Sequence, residues 1–196
     1  RFSRYADDCN IYVHSERAGQ RVMASITQFI TRKLKLKVNE AKSAVAGALG
    51  RKFLGYALWL AKGLEVKCAV AQKALDHFKV RIRQLTRRSG GRSLAQVIEK
   101  LRTYLLGWKA YFGLAQTPKV WRELDQWLRH RLRAIQLRHW KRPGTIYREL
   151  KALGASEGVA KRVAGNCHRW WRNSTGVIKI VLTIAYFDGL GLPRLS

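Results

Sequence analysis

Acidic side chains are scarce in this 196-residue sequence: 12 Asp and Glu face 39 Lys and Arg, leaving a net charge of +27. The shortage is uneven. Residues 1–70 hold 13 basic and 5 acidic side chains, net +8, and residues 71–196 hold 26 and 7, net +19. A fold would not keep that self-repulsion without a polyanion to neutralise it, and solubility alone asks only about 2–8 charges of a small domain. Cysteine is rare as well. Cys9, Cys68 and Cys167 lie far apart with no C-x-x-C pair, which argues against a disulfide framework or a zinc site and fits a reducing compartment. Cys167-His168, the one Cys/His neighbour pair, has no partner at ligand spacing and reads as structural. Long apolar runs are missing: Val177 to Phe187 is short and broken by Lys179, so it cannot span a bilayer, and no signal peptide is visible. Neither an internal repeat nor a low-complexity tract is found. A lipid surface fits poorly, because the cations sit among Trp and Gly rather than along one amphipathic helix. Nucleic acid is the partner these absences favour.

What is present can fold. At 47% hydrophobic residues the chain can bury a core, and its length suits one large domain or two small ones. It opens at Arg1 inside a β-prone segment, as expected of a piece cut from a longer chain. Phe2-Ser3-Arg4-Tyr5 and Asn10-Ile11-Tyr12-Val13 flank Ala6-Asp7-Asp8-Cys9, which reads as a hairpin with an acidic tip. Ser15 caps a helix whose Val22, Ile26, Phe29 and Ile30 share one face. Leu36 and Val38 alternate with Lys35 and Lys37 as a short strand, and Lys42 sits in the turn after it. Phe53 to Trp59 and Leu64 to Ala69 form a second hairpin around Lys62-Gly63.

Beyond residue 70 the period becomes helical. Leu75, Phe78, Ile82 and Leu85 mark a helix over 75–88, ended by the linker Ser89-Gly90-Gly91. Ser93-Leu94-Ala95-Gln96 is a capping-box pattern, opening a helix with Leu94, Val97, Ile98, Leu101, Leu105, Trp108 and Phe112 on one side. Thr117-Pro118 starts another, with the stripe Trp121, Leu124, Leu128, Leu132 and Ile135, and Pro143-Gly144 stops it. Shorter helices are expected at 145–153 and 156–164. Residues 177–187 look like a strand by propensity, but the caps Ser174/Thr175 and Gly189 favour a helix.

Two features carry chemistry. Adjacent carboxylates on a tight turn, Asp7 and Asp8, can hold hard divalent cations while leaving positions for water and phosphate. Two such metals would activate a 3′-hydroxyl and steady a leaving pyrophosphate. Asp also favours turns for their own sake, so the pair alone does not decide the matter. The second feature is the basic region. Lys79, Arg83 and Arg87 follow i, i+4, i+8 as a ridge able to track phosphates. Arg129, Arg131, Arg133, Arg138, Lys141 and Arg142 crowd the later helix among His130, His139 and Trp140, a mixture suited to folded RNA. A solvated helix face explains one such stripe, but explains two with so few acids poorly. Trp108, Phe112, Trp121 and Trp127 follow helical spacing and read as core.

The order Tyr5-Ala6-Asp7-Asp8, a helix, Asn39-Glu40-Ala41-Lys42-Ser43 and Phe53-Leu54-Gly55-Tyr56 resembles the late palm of reverse transcriptases. Gly107-Trp108-Lys109-Ala110-Tyr111-Phe112, Trp121 to Trp127, Arg129 to Arg133, Trp140-Lys141, Gly165-Asn166 through Trp170-Trp171 and Ala185 to Pro193 resemble the group II intron maturase-specific domain. Together they are similar to the C-terminal part of a group II intron-encoded reverse transcriptase/maturase. The resemblance implies an α+β fold: a β-rich palm remnant over 1–70, then a mostly helical thumb and maturase domain over 71–196. It implies that Asp7 and Asp8 bind Mg²⁺ in a two-metal site, with a third carboxylate outside this sequence. Lys42 would donate a proton to the leaving group, Tyr5 and Ala6 would lie near the primer terminus, and Phe53, Leu54, Gly55 and Tyr56 would grip the primer. The implied partners are group II intron RNA, an RNA–DNA primer-template and dNTPs, with no membrane; a dimer is left open. The implied compartment is a bacterial cytoplasm or nucleoid, ahead of an organellar matrix. Without fingers or the third carboxylate, the polypeptide as written is expected to bind RNA and not to polymerise. The rival is a non-catalytic splicing cofactor whose palm is scaffold, although such a palm has no physical need of two adjacent carboxylates. A ribosomal-type RNA-binding protein leaves the acidic hairpin unexplained.

Overall fold

The computed structural model describes residues 1–87 and 90–196. Arg88, at the end of the helix read over 75–88, and Ser89, in the linker, lie outside the described residues. The chain divides into two units, Arg1–Ala69 and Val70–Ser196.

In the first unit, β1 (Phe2–Tyr5) and β2 (Asp8–Ile11) pair antiparallel, with Phe2 opposite Ile11 and Tyr5 opposite Asp8. The loop is two residues long, and Ala6 takes φ +52 to turn it, the sign such tight loops need. β2 starts two residues before the segment read from propensity, because the short loop lets Asp8 and Cys9 join the ladder. Helix α1 (Glu16–Arg32) begins where Ser15 Oγ accepts the Ala18 N–H at 3.2 Å. Gly19 is required by contact: a Cβ there would stand 2.5 Å from Val45 Cγ1.

The strand expected over Leu36 to Val38 does not form. Lys35 takes φ +56, and no neighbouring backbone pairs with the segment in a ladder, without which extended chain has nothing to hold it in register. A three-stranded sheet follows in the order β3 (Lys52–Phe53), β4 (Tyr56–Leu60), β5 (Val66–Val70). Lys62-Gly63 lies in the turn between β4 and β5, with Gly63 at φ +83. Among the described residues of this unit only Gly19 is buried. Phe2, Tyr5, Phe29 and Leu36 are exposed, so the unit has little core of its own.

The second unit is helical: α2 (Gln72–Leu85), α3 (Leu94–Tyr111), α4 (Pro118–Trp140), α5 (Pro143–Ala152), α6 (Glu157–Gly165), α7 (Trp170–Asn173), a 3₁₀ turn at Val177–Ile180, and α8 (Ile184–Gly189). Strands up to Val70 and helices after it agree with a mixed α+β class. The capping box forms as read: Ser93 Oγ accepts the Gln96 N–H at 3.3 Å, and Gln96 Oε1 accepts the Ser93 N–H at 3.0 Å. Phe78, Ile82, Leu101, Leu105, Leu128, Leu132 and Ile135 are fully buried. Trp108 sits within an aromatic group, 4.3 Å from Phe78, 4.8 Å from Phe112 and 5.1 Å from Trp121 between ring centroids.

Several boundaries differ from the sequence reading, the start of α2 at Gln72 and the split of Phe53 to Trp59 at Leu54-Gly55 among them, and three have a clear local cause. α2 stops at Leu85, where Thr86 turns its hydroxyl back to the Ile82 carbonyl. α4 stops at Trp140 because Lys141 takes φ +57, and Pro143 then opens α5 at its first turn. The segment 177–187 is two pieces, since Thr183 Oγ1 accepts the Tyr186 N–H at 3.2 Å and caps a new helix. Among the described residues no helix is long and apolar enough to cross a membrane.

Candidate nucleic-acid interface

α4 runs through the second unit with a buried stripe of Trp121, Leu124, Leu128, Leu132 and Ile135. Asp125, Arg129 and Arg133 follow each other at four-residue spacing beside that stripe, so one face carries all three. The structure corrects the reading of Arg129 and Arg133 as RNA contacts: they are 3% and 6% exposed. Guanidiniums so enclosed do not reach a phosphate outside. Arg129 Nη1 lies 3.4 Å from Asp125 Oδ1, and its Nη2 lies 3.6 Å from Asp188 Oδ1. Arg133 Nε donates to the Leu182 carbonyl at 2.8 Å, and its guanidinium lies 5.7 Å from the centre of the Phe187 ring. Burial, with the Arg129 charge beside it, pulls the Arg133 pKa down to about 10, which still leaves it a cation at neutral pH.

The acid in this group is Asp125, 4% exposed. Its carboxylate accepts the Leu195 N–H at 3.1 Å, the Ser196 N–H at 3.0 Å and the Ser196 hydroxyl at 2.8 Å. Asp188 in turn accepts from Arg194 Nε at 2.8 Å, and that bond is the main reason its carboxyl is held below the usual range. Lys109 Nζ donates to the Arg194 carbonyl at 2.9 Å. The α4 charges therefore hold the chain's last residues against the helices. The sequence marks this role of Asp125 and Asp188 by one signal, the four-residue spacing of Asp125, Arg129 and Arg133.

Two further arginines are partly committed. Arg131 is half-buried, donates from Nε to Thr86 Oγ1 at 2.7 Å and stands 5.4 Å from the Trp127 ring. A cation there meets the carbonyl end of α2, where positive charge is favoured. Arg138 is half-buried with its guanidinium 5.0 Å from the Trp170 ring. His130 stacks on Trp171 at 3.6 Å between centroids, with Nε2 3.0 Å from the Trp171 carbonyl. Burial lowers its pKa against the opposing pull of that carbonyl, so it is a neutral ring at pH 7.

Arg83, Arg87, Lys141 and Arg142 are exposed, and Lys79 is half-buried. Arg83 lies 5.6 Å from the Trp127 ring, so Trp127 is contacted by two guanidiniums. Because α2 ends at Leu85, Arg87 lies past the helix and the three-residue ridge is shortened to Lys79 and Arg83.

In the first unit, Asp7 and Asp8 are exposed at the tip of the β1–β2 hairpin beside exposed Tyr5. Arg4 Nε donates to the Ala6 carbonyl at 2.9 Å, bracing the turn. Among the described residues no group of three or more His, Cys, Asp or Glu gathers as a metal site; the carboxylates stand as a pair. Lys42 is exposed in its own turn, its N–H donating to Asn39 Oδ1 at 3.2 Å. Phe53 and Tyr56 face each other across a second two-residue loop, Leu54-Gly55, with φ of +51 and +78.

Among curated proteins no match to the chain is found. Residues 75–154, from α2 to just past α5, match the family described as group II intron, maturase-specific domain.

Proposed function

We propose that the second unit binds group II intron RNA and assists its folding and splicing, and that the first unit is the late palm of an RNA-directed DNA polymerase. The observation that carries the reading is the maturase-specific match over 75–154 within the part of the chain whose net charge is +19. Arg83, Arg87, Lys141 and Arg142 offer exposed cations to RNA phosphates, while Arg129, Arg133 and Asp125 keep the framework behind them in place.

In the palm, Asp7 and Asp8 supply hard oxygen donors on a braced hairpin, a donor set that fits Mg²⁺ held partly by water and phosphate. Bound Mg²⁺ would activate a primer 3′-hydroxyl and neutralise the leaving pyrophosphate of a dNTP. Lys42 is assigned as the proton donor to that leaving group. Tyr5 and Ala6, with Phe53 to Tyr56, are assigned to the primer strand of an RNA–DNA primer-template. The site needs a third carboxylate that these 196 residues do not supply. Two outcomes test the proposal. The polypeptide retains labelled group II intron RNA against excess transfer RNA in a filter assay; failure to do so overturns the RNA-binding reading. In primer extension it incorporates no dNTP above an Asp7→Ala control; incorporation above that control overturns the need for further carboxylates.

A further inference from the structure

A second group of cations lies outside the family match and outside every basic stripe read from the sequence. The end of α6, the short α7 and the 3₁₀ turn border an open cleft of about 280 Å³ lined by Arg162, Asn166, Arg169, Arg172, Asn173, Gly176 and Val177. Three of the seven lining residues are arginines and none is acidic. Among the described residues no ion pair or side-chain hydrogen bond ties these guanidiniums, unlike Arg129, Arg131 and Arg133. All three are exposed.

Two of the lining side chains are anchored. Asn173 is buried and donates from Nδ2 to the Val163 carbonyl at 2.8 Å, and Asn166 Nδ2 donates to the Arg162 carbonyl at 3.0 Å. Backbone bonds from Asn173 to Arg169 and from Gly176 to Asn173 wind the rim into place. Each amide nitrogen is anchored by one bond to the backbone, and each asparagine keeps a carbonyl oxygen as an acceptor. Arginines beside such acceptors match the parts of one nucleotide: guanidiniums take the phosphate bidentately or stack on the base, and a carboxamide oxygen takes a base N–H. Small-ligand pockets run roughly 300–1,000 Å³, so this cleft suits a single residue of a chain rather than a long ligand. A duplex keeps its bases stacked inside, whereas a loop or single strand can turn one out.

We propose that this cleft is a nucleotide-gripping site for single-stranded RNA, formed by Arg162, Arg169 and Arg172 together with Asn166 and Asn173. The assignment rests on the reading of the second unit as RNA-binding and adds to it where the RNA is held by a single-stranded segment. The test uses the full chain, its Arg162→Gln/Arg169→Gln/Arg172→Gln variant, and two labelled probes: a hairpin RNA with a single-stranded tail, and the same stem ending blunt. Because the three side chains are exposed, the variant should unfold at the wild-type temperature, which thermal melting checks.

Affinity for the tailed RNA is expected to fall on the order of tenfold, with the salt dependence flattened by about 2 from up to three lost contacts at roughly 0.7 each. The blunt stem should lose less than about a third of that on the logarithmic scale. If the wild type binds neither RNA, the RNA-binding reading itself fails. If it binds the tailed RNA and the variant matches it in affinity and salt slope, only the cleft assignment falls. Equal losses on both probes would make the cleft a general phosphate contact and also overturn it.

Discussion

Replacing Asp125 with alanine is expected to destabilise the second unit by about 3–5 kcal/mol, the cost of breaking a buried ion pair and leaving Arg129 with Asp188, 3.6 Å away, as its one remaining acid among the described residues. The carboxylate answers three donors from the last two residues as well as Arg129. Arg129 has little to fall back on: its Nε and Nη2 have no hydrogen-bond partner even with Asp125 present. Loss of Asp125 should also release Leu192 and Leu195, both buried, so apolar burial is lost with the charge. The checking measurement is thermal unfolding, where a loss of this size lowers the midpoint by roughly 10–20 °C for a unit of this length. Removing Arg129 as well should cost less than the two single losses added, since the orphaned cation leaves with its partner. A midpoint within a few degrees of wild type for Asp125→Ala would show that the terminal residues are not held as described.

That network also marks the limit of what the sequence discloses. Ser93 and Gln96 are three residues apart, and the stripe from Leu94 to Leu105 repeats at helical period, so the start and inward face of α3 follow from local spacing alone. The acidic turn is local in the same way: two β-prone runs around Ala6-Asp7 can only fold back. Arg129 and Arg133 are different. They look like their exposed neighbours on the same helix, and what turns them inward lies far along the chain, with the Leu182 carbonyl 49 residues from Arg133. Arg131 is drawn to Thr86, 45 residues back. Composition marks such residues as cations and nothing more.

The expected strand over Leu36 to Val38 fails for a related reason, because alternation suggests extended chain and cannot supply the neighbouring strand a ladder needs. The cleft of Arg162, Arg169 and Arg172 was illegible because its residues come from a helix end, a cap and a separate short helix, with no shared period.

The exposed cations then carry the larger binding effect. Changing Arg83, Arg87, Lys141 and Arg142 together to glutamine is expected to flatten the salt dependence of RNA binding by about 3–4, at roughly 0.9 for each phosphate contact. Affinity at low salt should fall on the order of a hundredfold. Midpoints of unfolding should hardly move, because all four side chains are exposed; Lys141 ends α4 through its backbone N–H and Arg142 opens α5 with no side-chain cap bond, and surface substitutions that remove no cap or core contact usually change stability by less than about 0.5 kcal/mol. Arg129→Gln should behave in the opposite way, losing stability while its folded fraction keeps the wild-type slope. Filter binding across a salt series, run beside thermal melts of each variant, separates the two. Should Arg129→Gln flatten the slope by about one with no loss of stability, a phosphate contact would be restored to that residue and the inward orientation of α4's charged face refuted.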